Sequence, residues 1–349
     1  MSYKYDYIVY IGRFAPFHIG HNTVLQQALT QAKNVIVLVG SSFRPRNVRN
    51  PWTYIERETM IYTSLSGDQF GRTHIKALRD YLYNEDAWVR QIQNVVDATI
   101  FNIERNKANV AIDSTPLKIG IIGHSKDKTS GYLNMFPQWE PIEHPLVQNI
   151  HGSDIREMLF DNKDLAYITG IVPPTTLNHL QNFIKTDDYV NLCDEHFFLK
   201  KYKSAWAAAP YAPMFLTTDA IVTQSGHVLM VTRGANPGAG LDAFPGGFLE
   251  QDEFMECGAL RELKEETKID VPVKVLRGCI KGSKIFDHPL RSLRGRTVTQ
   301  AFHIELPPGP LPKVKGSDDA RLAKWVPFND VKSENCFEDH YDMFEYFIK

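Results

Sequence analysis

Apolar and polar positions along this chain fall into two textures. The first opens with an apolar, β-branched run at residues 7–11 that stops at Gly12. After a loop, helical spacing covers about 20–33, and a second buried-strand pattern at 34–40 follows at once. Strand, helix and strand at this spacing predict a parallel βαβ unit. Helical patterns at 53–66 and 87–106 and a strand pattern at 118–123 extend it. Residues 1–186 are therefore expected to form an α/β domain with a doubly wound, Rossmann-like parallel sheet. At 187–213 the texture breaks: two acidic residues, then aromatic and Lys-rich positions, then an Ala/Pro stretch closed by Pro210 and Pro213. This segment is read as a linker. Beyond it, 215–223 and 227–232 predict paired strands around the turn Gln224-Ser225-Gly226, a strong helix follows at 252–267, and β-rich sequence runs to Pro327. Residues 214–349 thus predict a second, unlike α/β domain with a mixed sheet.

Composition narrows the function classes. The chain has 349 residues, 43% of them hydrophobic and 23% charged, which excludes a mainly disordered protein. Its 39 Lys+Arg against 41 Asp+Glu give a net charge of −2. No strong global field draws nucleic acid or anionic lipid, so a phosphate ligand must be met by locally placed Arg and Lys. The longest apolar run, 35–39, is far short of a membrane span, and the first residues hold no apolar core of signal-peptide length. The cysteines Cys193, Cys257, Cys279 and Cys336 include no close pair, a pattern that suits neither a disulfide framework nor a zinc site and fits a reducing cytoplasm. The expectation is a cytoplasmic protein with small-molecule ligands, without nucleic-acid or membrane partners, and with a homo-oligomer left open.

The candidate chemistry begins between the first strand and the first helix, at Gly12-Arg13-Phe14-Ala15-Pro16-Phe17-His18-Ile19-Gly20-His21. A helix N-terminus offers free backbone N–H groups and partial positive charge, which suits phosphate. His18 and His21 are three residues apart and share one face of that turn. Gly20 allows close backbone approach. A second phosphate cradle is expected at Ile150-His151-Gly152-Ser153-Asp154-Ile155-Arg156, where a small hydroxyl at a helix N-cap is followed by an arginine one turn on.

These two segments resemble the HxGH and ISxTxxR motifs of the nucleotidyltransferase superfamily, with Ser153 in the usual Thr position. Within it the pattern looks most like nicotinamide mononucleotide (NMN) adenylyltransferases of the archaeal and bifunctional bacterial type. Asn50-Pro51-Trp52-Thr53 with Glu56-Arg57, Trp88 after Asp80, and Gly123-His124-Ser125-Lys126-Asp127 support that likeness, while Ala15 stands where Gln is frequent. The resemblance implies adenylyl transfer from ATP to NMN, with His18, His21 and Arg156 as catalytic groups. It implies ATP binding by Gly12, Arg13, Phe14, His18, His21, Gly123, Asp127, Ser153 and Arg156, and NMN binding by Arg46, Asp80 and Trp88. Trp88 offers a flat face to the pyridinium ring; by itself it also suits a core position.

The second constellation runs from Gly247 through Glu253 to Arg261-Glu262-Leu263-Lys264-Glu265-Glu266-Thr267-Lys268-Ile269. Glu262, Glu265 and Glu266 stand at i, i+3 and i+4, so their carboxylates share one helical face and suit a hard divalent cation. Glu253 and Arg261 are placed to lock the preceding loop to the helix. The spacing resembles the Nudix box, Gx5Ex7REUxEExGU, with Lys268 where the family has its last Gly, a position that favours a left-handed residue. The likeness implies Mg²⁺ (or Mn²⁺) held by Gly246, Glu262, Glu265 and Glu266, and catalysis by Glu265 and Glu266. Phe286-Asp287-His288-Pro289 with Arg291-Ser292 and Arg294-Gly295-Arg296 resembles Nudix domains fused to NMN adenylyltransferases, which act on ADP-ribose. Arg294, Arg296 and Asp319 are the implied ADP-ribose contacts, with an ordinary surface loop as the alternative for the arginines.

The resemblances imply a two-headed enzyme that makes NAD and cleaves ADP-ribose to AMP and ribose 5-phosphate. Two alternatives stay open. One is adenylyl transfer to another phosphorylated small molecule beside a Nudix hydrolase of different substrate; the other is a nucleotide-sensing regulator.

Overall fold

The run at 7–11 lies within β1 (Tyr5–Gly12), and its continuous hydrophobicity has a simple cause: both faces of the strand are covered. Ile8 and Tyr10 point into one core and Tyr7 and Val9 into the other, and Val35 and Val37 alternate with Ile36 and Leu38 along β2 (Ala32–Val39) in the same way. This computed structural model describes residues 3–106, 116–123, 132–144, 150–161, 164–317 and 320–349. Residues 124–127 and 318–319 lie outside that set, and with them the expectations for Asp127 and Asp319.

β1 is the centre of a five-stranded sheet, all parallel, in the order β3-β2-β1-β4-β5, with β3 at Thr73–Ala77, β4 at Ile119–Gly123 and β5 at Glu140–Glu143. The order reverses between β1 and β4, so a crevice is expected beyond the carboxyl ends of those two strands. α1 (Ile19–Gln31) and α4 (Glu85–Asn106) lie close to their predicted spans. The 53–66 pattern holds α2 (Tyr54–Tyr62), whose N-cap Thr53 forms a capping box with Glu56, and a short α3 (Gly67–Phe70) follows beyond it. α5 (Gly152–Phe160) and α6 (Pro174–Phe183) complete the N-terminal part.

The linker expectation needs correction, because α7 (Asp187–Ser204) occupies most of 187–213. Acidic residues open it and lysines close it, complementing the helix dipole. The chain divides into two compact units inside this helix, Met1–Cys193 and Asp194–Lys349. Leu192 and Cys193 belong to a core of the first unit.

The second unit holds a seven-stranded mixed sheet. Its main path is β10-β11-β6-β7-β12, formed by β6 (Met214–Gln224), β7 (His227–Arg233), β10 (Ile280–Phe286), β11 (Arg296–Glu305) and β12 (Ala320–Pro327). β11 and β6 run parallel; β8 (Asp242–Ala243) pairs with β7 and β9 (Gly246–Phe248) with β6. Ser225 and Gly226, both at positive φ, make the β6–β7 turn as expected of a two-residue hairpin. α8 (Met255–Thr267) carries Leu260 and Leu263 into the core under β6, α9 (Val273–Gly278) follows, and α10 (His340–Ile348) ends the chain. Among the described residues no helix is long and apolar enough to cross a membrane.

Lys268 sits just past α8 in the left-handed region, φ 45° and ψ 30°, and its N–H donates to Lys264 O at 3.1 Å. The helix ends as a glycine would end it, on a side chain that opposes the conformation. Lys268→Gly is therefore expected to stabilise the protein by about 0.5–1 kcal/mol, read as a raised thermal midpoint. An unchanged or lowered midpoint would mean that Lys268 repays its strain by contacts.

Candidate active sites

At the crevice of the first unit, chemistry and capping coincide. His18 is the N-cap of α1: its Nδ1 accepts from His21 N at 3.4 Å, while His18 N donates to His21 Nδ1 at 3.3 Å. The two rings stack with centroids 3.6 Å apart, and His18 is buried. Phe14 packs edge-on to His21 at 5.0 Å and stands at φ +52°, a strained position for a phenylalanine. Two glycines make room for this. A Cβ on Gly12 would lie 2.7 Å from the Phe14 ring, and one on Gly20 would lie 3.1 Å from the His18 ring.

The surrounding arginines divide by role. Arg57 of α2, wholly buried, donates to Arg13 O at 2.8 Å, Gly40 O at 2.7 Å and Ser41 O at 3.2 Å, tying together the chain beyond β1 and β2. Arg156 reaches from α5 to donate to Ala15 O. Burial, with Arg13 and Arg49 nearby, lowers its pKa to about 10, so it stays charged at neutral pH. Gly152 permits this approach, since a Cβ there would be 3.0 Å from Ala15 O and 3.3 Å from Arg156 Nη1. Ser153 is not the N-cap that the sequence suggests: His151 holds the N-cap position of α5 without a side-chain capping bond, and the Ser153 hydroxyl donates to Asp154 Oδ1 at 3.1 Å. Gly123 ends β4, with the Tyr132 hydroxyl 2.3 Å from where its Cβ would be.

The three residues expected around NMN are not alike. Asp80 accepts from Ser41 N at 3.0 Å and from Ser41 Oγ at 2.6 Å, which supports Ser41 at φ +54°. The Arg46 guanidinium is engaged by Glu56 at 2.9 Å and Asp188 at 3.1 Å, and it lies over the Phe183 ring. Its charge is already met by two carboxylates. Trp88 is half-buried on the first turn of α4, 6.5 Å from Phe136, and so touches a core while keeping part of its surface open.

In the second unit, Glu262, Glu265, Glu266 and Gly246 line a cavity of about 630 Å³. Glu266 is buried, and its Oε2 accepts from Gly246 N at 3.1 Å. Burial raises its pKa to about 8, and the carboxylates of Glu262 and Asp219 push the same way. Glu262 lies against Gly247, where a Cβ would be 2.3 Å from Oε1. The loop lock is present: Arg261 donates to Glu253 at 2.7 and 3.1 Å. The same guanidinium also holds Glu262 and Glu265 at 2.9 Å each. Among the described residues no three His, Cys, Asp or Glu side chains are gathered closely enough to hold a metal. The donor chemistry nevertheless fits a hard cation, because carboxylate oxygens share one helical face beside the cavity, two of them held by the Arg261 guanidinium.

Sequence reasoning missed part of this cavity. Asp219, on β6, is buried, accepts from Thr299 Oγ1 at 2.5 Å, and has its pKa raised to about 6 by burial. Its signal is a carboxylate inside an otherwise β-branched strand. Arg291 forms a buried, two-pronged ion pair with Asp339, both bonds 2.9 Å. Arg294 lines the cavity, whereas Arg296 donates to the Asp287 carbonyl. Buried His340 accepts from Phe244 N at 2.9 Å, and burial lowers its pKa to about 3, so it is neutral.

Comparison with known proteins agrees with this division. Residues 9–158 match the cytidylyltransferase-like family model and residues 214–347 the NUDIX domain. The chain is 34% identical over 191 residues to a nicotinamide/nicotinic acid mononucleotide adenylyltransferase of Acinetobacter baylyi, covering 54% of this chain and 93% of that one. It is 32% identical over 133 residues to an ADP-ribose pyrophosphatase of Methanocaldococcus jannaschii, covering 38% and 70% respectively. A bifunctional NMN adenylyltransferase/ADP ribose pyrophosphatase from Francisella tularensis is 33% identical and superimposes with a TM-score of 0.87 over 99% of this chain and 98% of that one. Its complex with AMP and a manganese ion is 32% identical and aligns over the same shares with a TM-score of 0.85. Stacked histidines at the sheet's switch point, a carboxylate face beside the second cavity and alignment along almost the whole length lead to one conclusion: the chain belongs to the bifunctional NMN adenylyltransferase/ADP-ribose pyrophosphatase family.

Proposed function

We propose that the first unit transfers AMP from ATP to NMN, giving NAD and pyrophosphate, and that the second hydrolyses ADP-ribose to AMP and ribose 5-phosphate. The observation that carries the first half is the His18–His21 pair, stacked at 3.6 Å on the N-terminus of α1 where the strand order reverses. In the reaction the NMN 5′-phosphate oxygen bonds to the α-phosphorus of ATP as its bond to the pyrophosphate oxygen breaks. Little covalent work falls to the protein, so alignment and charge neutralisation dominate. His18 and His21 are assigned to the ATP phosphates, with Arg13 and Arg156 supplying positive charge at the same loop. Phe14 and Gly12 shape that loop, and Ser153 and Gly123 border the crevice. We assign the nicotinamide ring to Trp88, and make Asp80 and Arg46 positioning residues on the strength of their carboxylate and backbone partners.

In the second unit Glu262, Glu265 and Glu266, with Gly246, are the groups that would hold a divalent cation, Mg²⁺ or Mn²⁺. Bound there, such a cation neutralises the diphosphate and acidifies water. Glu262 and Glu265 must first leave Arg261, whose guanidinium is then left to Glu253. Glu266 is assigned to catalysis as well, since its buried carboxylate lines the cavity beside Glu262 and Glu265. Arg294 is assigned to ADP-ribose. Four cysteines with no close pair in the sequence support a cytoplasmic setting.

The test is incubation of the full-length protein with NMN, ATP and Mg²⁺, and separately with ADP-ribose and Mg²⁺, with products resolved by chromatography. NAD in the first and AMP with ribose 5-phosphate in the second are expected; absence of either product removes that half. Trp88→Ala is expected to weaken NMN binding by about 3- to 30-fold while ATP binding holds. Separate titrations of the two ligands check it, and an equal loss of ATP affinity would make Trp88 purely a packing residue.

A further inference from the structure

The hydrolase cavity has an aromatic wall, and two of its members, Phe198 and Tyr202, lie outside both the metal-binding box and the matched NUDIX segment. Phe198 and Tyr202 stand one turn apart on α7 and line the cavity together with Phe248 and Arg294. The Phe198 and Tyr202 rings are 6.3 Å apart and inclined by only 26°. Arg294 lies over Phe248 at 5.1 Å, and its buried Nε has no hydrogen-bond partner among the described residues. Phe198 is 38% and Phe248 40% exposed, a large area of ring to leave open beside a cavity of charged groups. The wall is also held in place: Glu195 of α7, itself buried, accepts from Gly238 N at 3.1 Å and so pins the helix to the loop whose residues 234–237 line the same cavity.

β9 sets the distance between this wall and the carboxylates. Gly246 N–H meets Glu266, Gly247 lies against Glu262, and Phe248 opens onto the aromatic residues. Two steps of strand cover about 7 Å, a span comparable with one ribose between a phosphate and its base. A flat π-system with a guanidinium beside it suits a purine, whereas a ribose phosphate presents no flat face.

We propose that Phe198 and Tyr202 of α7, with Phe248 and Arg294, form the platform that holds the purine base of the nucleoside diphosphate substrate, so that α7 sets the base specificity of the hydrolase. This rests on the ADP-ribose reading of the second unit. The experiment compares wild type with Phe198→Leu, which keeps bulk and removes the π face, Phe198→Trp, which restores it, and Tyr202→Ala. Inhibition of ADP-ribose hydrolysis by AMP and by ribose 5-phosphate is measured on each full-length protein, alongside thermal unfolding. In Phe198→Leu and Tyr202→Ala the AMP inhibition constant and the KM for ADP-ribose are expected to rise about tenfold. The ribose 5-phosphate constant is expected to hold, and Phe198→Trp to restore AMP inhibition. An unchanged AMP constant in folded variants, or parallel weakening of AMP and ribose 5-phosphate, overturns the proposal. Wild type that cleaves no ADP-ribose overturns the reading beneath it instead.

Discussion

His21→Ala is expected to lower NAD formation by about 10²–10³-fold, the usual cost of removing one preorganised group that meets transition-state charge. ADP-ribose hydrolysis by the same preparation is expected to stay within about twofold of wild type, because the carboxylate cavity belongs to the other compact unit. His18→Ala should be equally damaging to transfer and also less stable. It removes the side-chain acceptor that caps α1, a loss of about 1 kcal/mol. The two variants therefore separate chemistry from capping: both lose NAD synthesis, and His18→Ala melts at the lower temperature. Chromatographic assays of both reactions, with melting curves, decide it. Equal loss of both activities in a folded variant would refute two independent sites.

Glu266→Gln is expected to remove at least about 99% of ADP-ribose hydrolysis, since it takes one charge from the carboxylates proposed to hold the cation. Yet the metal-free variant should be as stable as wild type or slightly more so. Gln keeps an acceptor for Gly246 N–H, and it removes a carboxylate that is costly to ionise where it lies buried beside Glu262 and Asp219. The sign follows from linkage. Glu266 is raised from 4.5 to about 8, so the folded protein binds more protons than the unfolded chain between those values, and metal-free stability falls as pH rises through that window. Asp219, raised from 3.8 to about 6, adds a fall of the same sign lower down. Melting from pH 5 to 8.5 without metal should show a steeper decline for wild type than for Glu266→Gln. Added Mg²⁺ should stabilise wild type more than the variant. A variant that hydrolyses normally, or melts well below wild type without metal at pH 8, would make Glu266 a structural partner only.

Where one side chain or one short turn dictates structure, the sequence was enough. The β-branched runs of β1 and β2 had to be buried on both faces, and strand–helix–strand spacing leaves little but a parallel sheet. The turn Gln224-Ser225-Gly226 announced the hairpin, and the helical pattern from 53 begins at a capping box of Thr53 and Glu56 that is complete within four residues. The carboxylate face of α8 was likewise legible, because i, i+3 and i+4 are neighbours on any helix.

α7 shows the opposite case. Its first half buries Leu192 and Cys193 in the first unit, while its second half turns Phe198 and Tyr202 to the cavity of the second. Two different environments leave no single apolar stripe, and so the segment looked like a linker.

The sequence by itself determined the two domain types, the turn that sets His18 and His21 on one face and the carboxylate face of α8, because each is written in contacts between residues a few positions apart. Only the tertiary structure decided that Arg46 is neutralised by Glu56 and Asp188, that Asp80 is occupied with Ser41, and that Asp219 and Arg291 stand at the hydrolase cavity. The charge a ligand meets depends on partners as far as 142 residues away in sequence, as between Arg46 and Asp188, and local spacing carries no record of them.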